Sequence, residues 1–282
     1  MTPRFGEPDN IDKTGALASL FRLPGRRFLF VRGLTETLCA CTIPKTEKER
    51  IACEFSAKKD GCCCRGCWYG VDRAACLVDA INARQPDVVL FGGDLLDNYA
   101  RDRDSLDLEE LAAQLGRIQA PGGKFAVWGN HDYGGGAVRV YESLLEQAGF
   151  QVLNDESRLL EEWNVQVVGY DDVLMGWTDP ELYQLNRDIF QLVVAHEPSV
   201  AEKISAPGEC FVLSGHTHGG QASLPLLNRL WLPAGSGGMV RGDYTTQDGT
   251  QVYVSSGVGL TKLPLRFLCP PEIVCVTFEP AV

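Results

Sequence analysis

Apolar residues fall along this chain in short blocks, and the spacing within the blocks changes from one to the next. From Val71 to Arg84 they recur at helical intervals (Val71, Ala74, Ala75, Leu77, Val78, Ile81), which predicts an amphipathic helix. Pro86-Asp87 ends it. Val88-Val-Leu-Phe91 is a continuous apolar run of the kind carried by a parallel strand buried on both faces. The alternation then repeats. A helix is predicted over Leu106–Ile118, a strand over Lys124–Trp128 after a Pro-Gly-Gly turn, and a helix over Val138–Ala148 closed by Gly149. Strands are predicted over Phe150–Leu153, Val165–Tyr170 and Gln191–Ala195, and from Phe211 short strands alternate with Gly- and Pro-rich loops. Helices alternating with strands and then mostly strands predict a layered α/β or α+β sandwich.

The N-terminal part carries a weaker pattern. Phe28–Arg32 reads as an edge strand, Ile43–Arg50 as a charged loop and Ile51–Phe55 as a short strand. With no internal repeat and no low-complexity linker, the expected organisation is one domain over 68–282, with 1–67 a divergent segment joined to it. The chain has 45% hydrophobic and 22% charged residues, ordinary for a globular protein. Its formal charge of −11 speaks against a nucleic-acid partner. No apolar run is long enough to span a membrane, and the N-terminus lacks a secretory pattern, so the expected compartment is the cytoplasm. Eleven cysteines change the picture only by where they lie. Seven fall between Cys39 and Cys67, three of them adjacent, which makes a poor disulfide framework. Cys76, Cys210, Cys269 and Cys275 sit in apolar segments and read as small buried hydrophobes.

Four strand ends carry candidate chemistry. Phe91-Gly-Gly-Asp-Leu-Leu-Asp97 places Asp94 where it can bridge metals and Asp97 where it can orient a neighbour; an N-cap is the plainer role for Asp94. Trp128-Gly-Asn-His-Asp132 offers Asn130 as a neutral oxygen ligand and His131 as a proton donor or charge stabiliser, or else forms a simple turn. The strand ending Ala195-His-Glu-Pro198 presents His196, either as a ligand or as a satisfied core histidine. Leu213-Ser-Gly-His-Thr-His218 presents His216 and His218. The chain has only four histidines, and all four lie at the ends of apolar runs. This pattern suits one or two divalent metals with mixed oxygen and nitrogen ligands.

The order Gly-Asp-x-x-Asp, Gly-Asn-His-Asp, strand-His and Gly-His-x-His resembles the calcineurin-like metallophosphoesterase superfamily. Gly215-His-Thr-His-Gly-Gly-Gln221, Tyr253–Gly259 and Leu263–Ile273 are similar to its bacterial phosphodiesterase branch, which includes proteins resembling the UDP-2,3-diacylglucosamine pyrophosphatases of lipid A synthesis. The resemblance implies a four-layer sandwich of two β-sheets flanked by helices, and hydrolysis of phosphoesters by metal-activated water. It implies that Asp94 bridges two metals, that Asn130, His196 and His216 complete the second site, that His218 serves the first and that His131 is catalytic. The substrate it implies is a small phosphorylated or lipid-linked molecule; peripheral membrane contact is an open alternative for the apolar stretch Leu224–Pro233. Arg241 and Arg266, with Arg229 and Lys262, are candidate phosphate ligands or else surface charge. Leu224–Pro233 is an apolar stretch that either meets acyl chains or packs in the core.

One family motif is missing. The superfamily opens with Asp-x-His, and no histidine precedes His131. The family's usual spacing puts Cys62 and Cys64 on the Asp and His positions. Three readings stay open: both cysteines are thiolate ligands of a zinc-favouring first site, the first site is lost, or the stretch before Trp68 is read out of its native frame. The expected cofactor is therefore Mn, Zn or Fe, two ions if Cys62 and Cys64 are ligands and otherwise one. The rival to an active enzyme is a catalytically impaired metal-binding homologue.

Overall fold

Apolar residues that alternate between two faces are buried on both, and this builds the layers. The computed structural model describes residues 26–31, 71–179, 185, 188–204, 210–220, 232–259, 266–269 and 271–278. Its strands are β1 (Arg26–Val31), β2 (Val88–Phe91), β3 (Lys124–Ala126), β4 (Gln151–Val152), β5 (Glu156–Leu160), β6 (Val165–Gly169), β7 (Phe190–Val194), β8 (Cys210–Ser214), β9 (Gly242–Thr245), β10 (Gln251–Val254) and β11 (Val274–Phe278). Its α-helices are α1 (Val71–Asn82), α2 (Tyr99–Asp102), α3 (Leu108–Gly116), α4 (Asn130–Gly134) and α5 (Tyr141–Gln147).

One sheet has the order β11-β1-β2-β3-β4, the other β9-β10-β8-β7-β6-β5. In β2 the side chains of Val88 and Leu90 enter the core between the sheets, where they join Val165, Val167, Leu192 and Val194. Val89 and Phe91 point the other way, into a core formed with α1, α3 and α5. Strands β2 and β7 therefore bury both faces, which is why Val88–Phe91 is uniformly apolar instead of alternating. The outer face of the second sheet is covered by Val200 and Ala201 of a short 3-10 turn (Pro198–Glu202), by Ile204 just after it and by Met239. The arrangement is the expected α/β sandwich of two sheets with flanking helices.

Differences from expectation are local. Residues 28–32 were expected at an edge, yet β1 lies inside the first sheet, parallel to β2 with Phe28 opposite Val88 and antiparallel to β11. The partner that covers its second side comes from the far end of the chain. Helix α3 starts at Leu108 because Asp107 caps it, its side chain accepting from Glu110 N. Strand β5 was not expected: it is an edge strand with a mostly exposed sequence, antiparallel to β6. Among the described residues no helix is long and apolar enough to cross a membrane.

Parallel pairing puts the carboxyl ends of β2 and β3, and those of β7 and β8, side by side. The segments that leave those four ends carry Asp94, Asn130, His196 and His216.

Candidate metal centre

After β2 the chain turns through Gly92-Gly93 into Asp94. Gly93 has φ 87°, and a Cβ there would lie 2.6 Å from Gly129 N and 2.8 Å from His196 Nδ1. Gly129 is as tightly placed, since its Cβ would fall 2.3 Å from Asp94 Oδ1. Only glycine at both positions lets the strand ends close on one point. Asp94 is itself left-handed, at φ 57°, a conformation that costs a non-glycine residue roughly 1–3 kcal/mol. Its neighbours hold it there. The buried Asp132 carboxylate accepts from Asp94 N at 2.6 Å, Leu95 N at 2.9 Å and Gly129 N at 3.1 Å.

The tautomers that the backbone imposes identify the centre. His196 Nδ1 faces Gly92 O at 2.8 Å, and a carbonyl can only accept, so this nitrogen carries the proton. In the neutral form that a metal ligand requires, the Nε2 lone pair then points at two further acceptors, Asn130 Oδ1 at 3.0 Å and Asp94 Oδ2 at 3.1 Å. His216 repeats the arrangement. Its Nε2 faces Ala234 O at 2.7 Å, which turns the Nδ1 lone pair onto the same Asn130 Oδ1 at 2.9 Å. Lone pairs from two imidazoles, an amide oxygen and a carboxylate thus meet in a buried site. A cation between them resolves the mutual repulsion, and the oxygen-nitrogen donor set fits a divalent first-row metal. The carbonyls behind the rings are the outer partners that fix a ligating histidine's tautomer.

His131 lies beside this cluster. Its backbone N–H donates to Asp94 Oδ1 at 2.9 Å, and its Nδ1 sits 3.0 Å from Asp97 O and 3.1 Å from Asp97 Oδ1. Asp97 therefore orients His131 and leaves Nε2 as the nitrogen that can meet a substrate. The structure brings Asp94, Asn130, His196 and His216 together and sets His131 at their edge. His216 and His218 both have left-handed backbones, at φ 65° and 54°. His218 is not part of the close group formed by His196, Glu197 and His216; its carbonyl accepts from Cys269 Sγ at 3.2 Å. Arg266 Nε and Nη1 donate to Gly259 O and Ser256 O, both at 2.8 Å. Arg241 reaches Leu268 O at 3.4 Å. Cys62, Cys64, Arg229, Lys262 and most of Leu224–Pro233 lie outside the described residues.

Several buried acids were not singled out from the sequence. Asp132 is the latch just described, and burial followed by the nearby Asp94 charge pushes its pKa well above the carboxylate range. Glu197, next to His196, is buried; its pKa is pushed up by burial and then by a hydrogen bond with Asp172. Glu197 Oε2 also accepts from Val173 N at 3.1 Å. The same strand-end logic that picked out Asp94 applies to Asp171-Asp172 after β6. Because the folded-state pKa of Glu197 lies above its ordinary 4.5, its contribution to stability is full below that value and is lost as pH rises toward the raised one. Glu197→Gln mimics the protonated acid. In protein stripped of metal by a chelator, thermal melts of this variant are expected to flatten against pH above about 4.5 relative to wild type. Parallel pH profiles would contradict the raised pKa of Glu197.

Two sheets whose adjoining strand ends carry a buried Asp/Asn/His/His cluster define a metal-centred hydrolase. Residues 60–220 match the family model described as calcineurin-like phosphoesterase, and the chain belongs to that family of metal-dependent phosphoester hydrolases. It is 34% identical to the uncharacterized metallophosphoesterase YkuE of Bacillus subtilis (strain 168), over 75% of this chain and 74% of that protein. It is 32% identical to an uncharacterized metallophosphoesterase of Aquifex aeolicus, over 74% of this chain and 78% of the relative. With an uncharacterized metallophosphoesterase of Campylobacter jejuni it shares 29% identity over 72% of its length and spans about half, 53%, of that protein.

Proposed function

We propose that this protein hydrolyses phosphodiester or pyrophosphate bonds in a small or lipid-linked phosphate substrate. The observation that carries the reading is the convergence of imidazole, amide and carboxylate lone pairs beside an oriented His131. Divalent metal bound there supplies Lewis acidity toward a phosphoryl oxygen and makes water a nucleophile near neutral pH. Asp94, Asn130, His196 and His216 hold it. His131, with Nδ1–H donating to Asp97 O, gives a proton from Nε2 to the departing oxygen when it is the imidazolium, a form that the adjacent Asp97 carboxylate favours. Sequence similarity to the diacylglucosamine pyrophosphatase-like branch supports the lipid-linked substrate.

Electrostatics favours diesters over monoesters. Asp94, Asp97 and Asp171 are buried around the centre, in addition to the two acids whose protons burial favours. A monoester dianion meets more repulsion in such surroundings than a diester carrying one charge. With Mn²⁺ or Zn²⁺ added, the protein is expected to cleave an aryl phosphodiester faster than the matching aryl monophosphate. His131→Ala is expected to lower the diester rate by roughly 10²–10⁴-fold with the metal content unchanged. Full activity in this variant would remove His131 from the reaction, and no turnover of any phosphoester with either metal would favour an impaired homologue.

A further inference from the structure

The loop after β6 combines two properties that rarely go together: its backbone is fully held, yet its apolar side chains face solvent. Seven consecutive N–H groups have acceptors. Asp171 N donates to Asp155 Oδ1 at 3.1 Å, Asp172 N to Asp171 Oδ1 at 2.8 Å and Val173 N to Glu197 Oε2 at 3.1 Å. Leu174 N and Met175 N both donate to Asp172 Oδ1, at 3.0 and 2.6 Å, Gly176 N to Asp172 O at 3.0 Å and Trp177 N to Asp171 Oδ2 at 2.9 Å. On this frame Leu174 is 40% exposed, Met175 56% and Trp177 96%. A flexible loop could fold such side chains away. This one is locked and cannot.

The loop also belongs to the rim of the metal centre. Tyr133 OH, from the short helix that carries Asn130 and His131, donates to Asp171 Oδ1 at 2.7 Å. A Cβ on Gly134 of that helix would lie 3.5 Å from Met175 Cε. On another side, a Cβ on Gly235 would lie 3.7 Å from Leu174 Cδ2, and Gly235 follows Ala234, whose carbonyl orients His216. Leu174 and Met175 therefore border segments that position two of the proposed metal ligands, Asn130 and His216, and His131, and Trp177 follows them on the same held loop. The run Leu174-Met-Gly-Trp177 offers no side-chain amide or guanidinium that could read the polar edge of a base. Leucine and methionine adapt to a flexible aliphatic chain, and tryptophan adds a broad apolar face.

We propose that Leu174, Met175 and Trp177 receive an alkyl chain of the phosphoester substrate while its phosphate lies at the metal centre. This rests on the hydrolase reading above, and the test separates the two. Full-length protein loaded with Mn²⁺ is assayed on p-nitrophenyl methyl phosphate and p-nitrophenyl octyl phosphate, both below micellar concentration. The octyl diester is expected to have a kcat/KM about tenfold or more higher, as burial of a few methylenes would give. In Trp177→Ser and in Met175→Ser the octyl-to-methyl ratio falls toward one. Equal values for the two substrates in wild type, or a ratio untouched in both variants, overturns the proposal.

Binding gives a second readout that does not need turnover. Octylphosphonate is expected to blue-shift tryptophan emission in wild type and to lose that effect in Trp177→Phe. If neither diester is cleaved but this Trp177-dependent shift persists, the hydrolase reading fails and the chain-binding loop stands. If no such shift occurs, the loop proposal fails whatever the activity. A Trp177-dependent shift produced by phosphatidylcholine vesicles but not by octylphosphonate would make the loop a membrane contact and overturn the substrate role.

Discussion

Asn130→Ala is expected to abolish metal retention at the Asp/Asn/His/His cluster and to cut turnover by roughly 10³-fold or more. Asn130 Oδ1 is the atom on which both imidazole lone pairs converge, His196 Nε2 at 3.0 Å and His216 Nδ1 at 2.9 Å. Losing an outer partner of a ligand already weakens metal affinity by about 10- to 100-fold, and loss of a ligand removes more. The fold should survive. Asn130 is partly exposed at the start of α4, and the Asp132 bonds that hold the turn do not involve its side chain. Metal analysis after dialysis, beside a thermal melt, checks both halves. Wild-type metal content in Asn130→Ala would contradict the ligand assignment. The same analysis on Cys62→Ser and Cys64→Ser reports on the first site: a second equivalent lost on those changes marks the thiolates as ligands, and metal untouched by them does not.

What the sequence discloses about this molecule depends on how local the cause is. The run Val88–Phe91 is legible because a strand buried on both faces needs no partner to declare itself, and Gly92-Gly93-Asp94 is legible because the turn demands those glycines. Strand β1 is different. Its neighbours Val88–Phe91 and Val274–Phe278 come from distant parts of the chain, so nothing near Phe28 distinguishes an interior strand from an edge. Glu197 is hidden for the same reason. Beside His196 it looks like an ordinary polar residue of a strand-end turn, and it becomes a buried acid only when β6 delivers Asp172 against it. The histidine tautomers are equally non-local, because the carbonyls of Gly92 and Ala234 select them. The sequence therefore names the ligand types, while the choice of lone pair requires the fold.

The same distinction sets the largest stability effect expected here, that of Asp132→Ala. This carboxylate is buried beside Asp94, and both burial and that neighbour penalise its charged form. Removal of an uncomfortable acid would by itself favour folding. Against this, the substitution strands the N–H groups of Asp94, Leu95 and Gly129, held now at 2.6, 2.9 and 3.1 Å. An unsatisfied buried donor costs about 1–3 kcal/mol, and three of them together outweigh the relief. A net loss of at least about 3 kcal/mol is expected from chemical denaturation of the metal-free protein. Metal affinity should fall as well, because the bond from Asp94 N to Asp132 helps hold the left-handed backbone that presents the Asp94 carboxylate. Asp132→Asn supplies the internal control. It retains one oxygen acceptor and sheds the charge, but it turns an amide donor toward the remaining N–H groups, so its stability should lie between wild type and alanine. Equal stability of Asp132→Ala and wild type would mean that water replaces the carboxylate in the turn, and would detach the backbone of Asp94 from the latch.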